Sequence, residues 1–129
     1  MKLIEIIAIL IQIESGGVDH AIGDNGDALG CLQIHAIYVA DVNRIFHTHY
    51  THHDALDREK AIEMTELYLM HYSDAGRLGK EPTVEDVVRM HNGGNNGWKK
   101  DCTIKYWEKF KAERLRLEFD KPNVVATLE

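Results

Sequence analysis

The feature that most restricts how this chain can fold is its first aliphatic run, "KLIEIIAILIQIE" at residues 2–14, which stops on Ser15, Gly16 and Gly17. The run is apolar nearly all round, so a helix formed here needs neighbours on most sides and must sit in the middle of a small domain. Leu3, Ile7, Leu10 and Glu14 follow the spacing i, i+4, i+7, i+11, so one face carries three aliphatic side chains and then a carboxylate. The Ser-Gly-Gly that follows ends the helix at once. Glu14 is therefore expected at the end of a buried stripe, beside a break in the chain. Glu5 and Gln12 interrupt the run and no small-x-small cleavage site follows, so it reads as a core helix and no signal peptide is seen. It is also too short to span a bilayer, and no membrane span is expected.

Turn chemistry dominates next. "GDNGDALG" at residues 23–30 alternates glycines with Asp and Asn, which tolerate or cap tight turns, so a small β-hairpin or irregular β region is expected near residues 20–34. Helical spacing returns in "HAIYVADVNRIF", residues 35–46, through Ile37, Val42 and Ile45. "HTHYTHHDALD" reads as a connection, and residues 57–75 as a longer helix with Ile62, Leu67, Leu69 and Met70 among its apolar positions. Thr83 with Asp86 matches a capping box, predicting a helix through Val84, Val87, Val88 and Met90 that "NGGNNG" at 92–97 breaks. A last helix is predicted over 103–118, carrying Tyr106, Trp107, Phe110 and Leu117. The expected architecture is one α+β, mainly α-helical domain over residues 1–120. Residues 121–129 read as a C-terminal tail, with Leu128 and Glu129 an expression scar without a role.

Charge narrows the partners. A formal charge of -6 gives no clustered excess of Lys and Arg, so no nucleic-acid partner is expected, and an anionic polymer would have to be recognised by shape and hydrogen bonds. The 129 residues, 44% hydrophobic and 28% charged, are enough for a core that needs no external staple. Cys31 and Cys102 have no spacing that builds a zinc site and are expected to be ordinary thiols, although a fold that joined them would let them pair. His47, His49, His52 and His53 lack helically spaced carboxylate or thiolate partners. They read as a solvated polar loop, and no metal or cofactor is expected.

Chemistry concentrates around Glu14. Flanking bulk would desolvate this carboxyl and disfavour its charged form, which suits a general acid near neutral pH. A second carboxylate from the following turn, Asp24 or Asp27, would be wetter and remain ionised. Two carboxyl groups whose surroundings push them apart form the usual apparatus for glycosidic bond cleavage. Trp98, beside the glycine-rich break, is a candidate sugar-stacking platform, whereas Trp107 at helical spacing with Phe110 reads as core.

The motifs extend this reading. "ESGG" followed by "ALGCLQI" resembles the Glu-Ser and Gly-x-x-Gln-Ile segments of goose-type lysozymes and lytic transglycosylases. "HNGG" at 91–94 resembles their Asn-x-Gly turn, and "TIKYW" at 103–107 their Thr-x-x-Tyr segment. The resemblance implies a lysozyme-like fold with Glu14 as catalytic acid, Gln33 lining the sugar cleft, Asn92 and Gly93 in the third motif, and Tyr106 facing the catalytic carboxyl. Ser15, Asp27 and Trp98 complete the expected substrate-binding set. "GDNGDALG" is similar to the segment that supplies the second carboxylate in invertebrate-type lysozymes; this implies Asp24 in that role, with Asp27 the alternative. The chain departs from the pattern at His91, where an aromatic often stands, and at Cys31, in place of Leu or Pro.

Three functions follow as expectations. The first is a peptidoglycan-cleaving glycosidase, a muramidase or lysozyme, acting between the alternating amino sugars as a monomer. A lytic transglycosylase that forms anhydro ends is the second. The third is a non-catalytic glycan-binding or phage or secretion structural module, since a fold alone guarantees no activity. Action on the cell wall implies periplasmic, secreted or phage-delivered protein.

Overall fold

A computed structural model describes residues 1–120, so the expected tail at 121–129 lies outside the described residues. Among the described residues six α-helices carry the fold: α1 (Leu3–Ser15), α2 (Ala36–Phe46), α3 (Arg58–Tyr72), α4 (Ala75–Leu78), α5 (Val84–Gly93) and α6 (Ile104–Phe119). Between α1 and α2 two short strands, β1 (Ile22–Gly23) and β2 (Ala28–Leu29), pair antiparallel with Ile22 opposite Leu29 and Gly23 opposite Ala28. A further bridge joins Leu29 to Ile34. The small β excursion expected near residues 20–34 is there.

Helix α1 is the hub. Ile6, Ile7, Ile9, Leu10 and Ile11 are all buried, and the helix packs against α3, α5 and α6. Each such side chain contributes about 1.5–3 kcal/mol on burial, which makes this run a large block of the core. Gly16 ends it in the left-handed conformation, φ 65°, with its amide donating to the Gln12 carbonyl. Ser15 then staples the helix end: its hydroxyl lies 2.9 Å from the Cys31 carbonyl and accepts the Gly17 and Val18 amides.

The β region is pressed onto its neighbours by close backbone approach. Gly30, φ 83°, leaves no room for a side chain, since a Cβ there would lie 1.7 Å from the Ala55 carbonyl oxygen. Ala55 belongs to a 3-10 turn, His52–Leu56, inside the segment expected to be a plain connection. Thr51 and Asp54 form a capping box that starts this turn, and His52 reaches the Ile34 carbonyl at 2.8 Å. The histidine run is thus partly structural, and among the described residues no group of three or more His, Cys, Asp or Glu could hold a metal ion.

Two helical readings need correction. The helix expected over 57–75 is interrupted: α3 stops at Tyr72, and Asp74 caps the separate α4 by accepting the Arg77 amide. Apolar periodicity also misjudged which faces turn inward. Ile37 is 80% exposed and Met70 62% exposed, while Tyr38, Val39 and Val42 of α2 and Met64, Thr65, Tyr68, Leu69 and Tyr72 of α3 face the core. A phenol ring fills a core as well as an aliphatic side chain when its hydroxyl finds a partner, so Tyr positions carry the phase here. The Thr83–Asp86 capping box stands as expected at the start of α5.

Candidate active site

Glu14 occupies the last turn of α1 with its side chain 19% exposed. Its Oε2 accepts a hydrogen bond from the Tyr106 hydroxyl at 3.0 Å, and His91 Nε2 stands 3.3 Å from the same oxygen. Tyr106 comes from the first turn of α6 and His91 from the last turns of α5, so three helices meet at one carboxylate. Burial first, and then the Glu14 charge, pushes the Tyr106 hydroxyl well above the ordinary tyrosine range, so it stays a donor.

Behind His91 lies Tyr38 of α2. Its hydroxyl is 3.2 Å from His91 Nδ1, and its ring stacks on Tyr68 with centroids 3.8 Å apart. Burial again, joined by the neighbouring Tyr68, holds the Tyr38 hydroxyl protonated. His91 Nε2 also lies 3.1 Å from the Leu32 carbonyl.

These groups open into a groove of about 870 Å³. Asp24, Gln33, Asn92 and Tyr106 line it together with Glu14, as do His35, Tyr38 and His91. Asp24 sits in the 3-10 turn after β1 at φ 49°, is 68% exposed, and pairs with His35 Nε2 at 2.9 Å. A left-handed backbone at a non-glycine residue is uncommon, and Gln33 has one too, φ 51°. The Gln33 amide nitrogen donates to the Ala21 and Gly30 carbonyls, at 3.2 and 2.9 Å, and its carbonyl oxygen crowds Gly23 so closely that a Cβ there would lie 2.2 Å away. Gln33 therefore shapes the groove wall, and its amide nitrogen is already engaged.

Four expected site residues are off the groove. Asp27 is exposed at the end of the same 3-10 turn as Asp24. Ser15 is spent on the helix end. Gly93 is a packing glycine, where a Cβ would meet Thr103 Cγ2 at 2.4 Å. Trp98 packs against the core under Lys80 and Lys99, whose ammonium groups lie 5.8 and 5.6 Å from its ring centre, and so offers no platform to the groove. Cys31 is buried, Cys102 is exposed, and both are free thiols.

Sequence reasoning missed Tyr38, His35 and the approach of His91 to Glu14. His35 follows directly on "CLQI", opposite the acidic turn, and its proximity to Asp24 could have been read from that. Tyr38 and His91 are 53 residues apart, and only the packing of the helices joins them.

A helix-hub carboxylate over a groove, flanked by a small two-stranded β region and backed by five further helices, defines a lysozyme-like α+β fold. The crystal structure of Tapes japonica lysozyme is similar to it, with a TM-score of 0.67 and 25% sequence identity over 82% of this chain and 85% of that one. No protein-family model matches the chain, and no curated protein matches it by sequence.

Proposed function

We propose that the protein is a glycosidase of the muramidase type, cleaving the glycan strand of peptidoglycan with Glu14 as general acid. The observation that carries this is Glu14 itself, a carboxyl at the open end of a buried helix, held by Tyr106 and facing a groove whose wall also carries Asp24. The likeness to a lysozyme supports it.

In this reading a glycosidic oxygen lies against Glu14, whose proton passes to the leaving oxygen as the bond to the anomeric carbon breaks. Positive charge then spreads over the sugar ring, and an ionised Asp24 opposite would stabilise it or hold the attacking water. Water supplies the hydroxyl of the new reducing end and returns a proton to Glu14. The groove's mixed lining, with exposed Ile37 beside Asn92 and Asp41, suits amino sugars, which present both apolar faces and hydroxyl or amide groups.

The His35–Asp24 pair favours a second reading. A carboxylate held by a histidine leaves that partner for the sugar only at a cost, and if it stays paired, Glu14 would act next as base while a hydroxyl of the substrate closes an anhydro ring, as lytic transglycosylases do. Loss of turbidity of purified peptidoglycan, wild type against Glu14→Gln, tests the acid: activity should fall roughly a hundredfold or more. Equal activity in the two would remove Glu14 from the chemistry, and inactivity in both would favour a glycan-binding module. Mass spectrometry of the fragments separates the two reactions, because reducing ends signify hydrolysis and anhydro ends the alternative.

A further inference from the structure

We infer that His91 is a positioning residue for Glu14, held by Tyr38 and the Leu32 carbonyl in the Nε2–H tautomer so that the acid's proton resides on Glu14 Oε1. The inference rests on Glu14 being the general acid. Its geometry starts at the Leu32 carbonyl, which can only accept, so His91 Nε2, 3.1 Å away, must carry the hydrogen. With Nε2 protonated, Nδ1 of the neutral ring is an acceptor, and the Tyr38 hydroxyl at 3.2 Å is the donor that meets it. The same nitrogen stands 3.3 Å from Glu14 Oε2, the oxygen that receives the Tyr106 hydroxyl at 3.0 Å, so the positive end of the Nε2–H dipole lies close to that oxygen without a second hydrogen bond to it.

A donated hydroxyl hydrogen and an N–H dipole close to one oxygen make that oxygen the poorer seat for a proton. The protonated form of Glu14 therefore carries its proton on Oε1, the oxygen for which the described residues supply no hydrogen-bond partner. A carboxyl with equivalent oxygens would present its proton toward the groove only part of the time; this one is pre-set, and the orientation is paid for in the folded core rather than during the reaction. His91 can hold its place because its side chain is only 2% exposed and the Tyr38 ring behind it is clamped on Tyr68. Burial keeps the Tyr38 hydroxyl protonated, which preserves its donor role.

Nitrogen magnetic resonance of the His91 ring in the wild-type chain at neutral pH reads the tautomer directly. A proton on Nε2 and an acceptor Nδ1 are expected, and a proton on Nδ1 overturns the inference whether or not the protein cleaves glycan. Without substrate, the carboxyl carbon signal of Glu14 should move in His91→Leu and return toward wild type in His91→Gln, whose amide nitrogen reaches about where Nε2 stands. A signal indifferent to both substitutions also overturns it. In turnover, His91→Leu should lower kcat about tenfold to a hundredfold with KM within about twofold, and His91→Gln should recover most of that loss. Equal losses in the two variants, or a loss carried by KM, refute the positioning role. A wild-type protein inactive on peptidoglycan refutes the glycosidase reading instead, and the two spectroscopic measurements still decide the tautomer and its coupling to Glu14.

Discussion

At the scale of single residues, Tyr106 and Gly30 show how differently two positions can matter. The Tyr106 hydroxyl is the shorter of the two contacts to Glu14 Oε2, and the ring itself packs in the core at 9% exposure. Tyr106→Phe keeps the ring and deletes only the donor. Activity on peptidoglycan should drop about tenfold, in line with losing one hydrogen bond to a charged group, while the melting temperature moves by only about 2–3 °C. A variant as active as wild type would show that His91 alone suffices to hold the carboxyl. Gly30→Ala should do the reverse of a site mutation. The new methyl meets the Ala55 carbonyl in a backbone that already disfavours it, so denaturant unfolding should show a loss of about 3 kcal/mol or more, or no folded protein at all. A loss below about 1 kcal/mol would mean that the loop at residues 28–34 shifts freely off the turn at 52–56.

At the scale of elements, start signals were more legible in the sequence than inward faces. Thr83 and Asp86 announced α5 because a capping box is a local device, complete within four residues. Gly16 and Gly17 announced the end of α1 for the same reason. Ile37 shares helical spacing with Val42 yet faces outward, because apolar spacing cannot tell a face that meets the core from one that lines a groove, and both are apolar here. The capping box of α5 also carries a pH prediction. Asp86 is 5% exposed, and burial alone would raise its proton affinity, but the Lys80 ammonium and the Thr83 amide and hydroxyl outweigh burial and hold the carboxyl below the usual range. A group depressed in the folded state stabilises above its unfolded value and loses that contribution as the pH falls through the folded one. Asp86→Ala should therefore be about 1–3 kcal/mol less stable than wild type at neutral pH, with the gap narrowing below about pH 4. Urea midpoints at neutral pH and at about pH 3 check this; a gap that stays constant would mean the cost is lost packing rather than lost charge.

At the scale of the whole molecule, the groove is assembled from stretches far apart in the chain: the end of α1, the turn at 24, α2, the end of α5 and the start of α6. That is why Glu14 could be singled out in the sequence by its position at the end of a buried run, whereas its meeting with His91 and the link from His91 to Tyr38 could not: those depend on helix crossings that no local pattern records. One side chain makes several of the polar contacts between α5 and the turn that starts α6. Arg89, 11% exposed, pairs within α5 with Glu85 at 2.6 Å and donates to Thr103 Oγ1 at 2.8 Å and to the Lys100 carbonyl at 2.7 Å, and these last two bonds tie the helix bearing His91 and Asn92 to the turn that launches Tyr106. Gly97 sits against the Arg89 carbonyl, where a Cβ would lie 2.2 Å away, so the loop between the helices has little slack of its own. Arg89→Met keeps the aliphatic stem and removes both tethers along with the Glu85 pair, leaving the Lys100 carbonyl and the Thr103 hydroxyl to find new partners. The expected cost is about 2–4 kcal/mol, seen as a melting temperature lower by roughly 5–15 °C. Activity should also fall at temperatures where the variant is fully folded, because Tyr106 and His91 then meet Glu14 from helices no longer held in register. Circular dichroism melts paired with turnover at about 20 °C below the variant's midpoint separate the two effects; full activity there would confine Arg89 to stability and leave the alignment of the three helices to the core around α1.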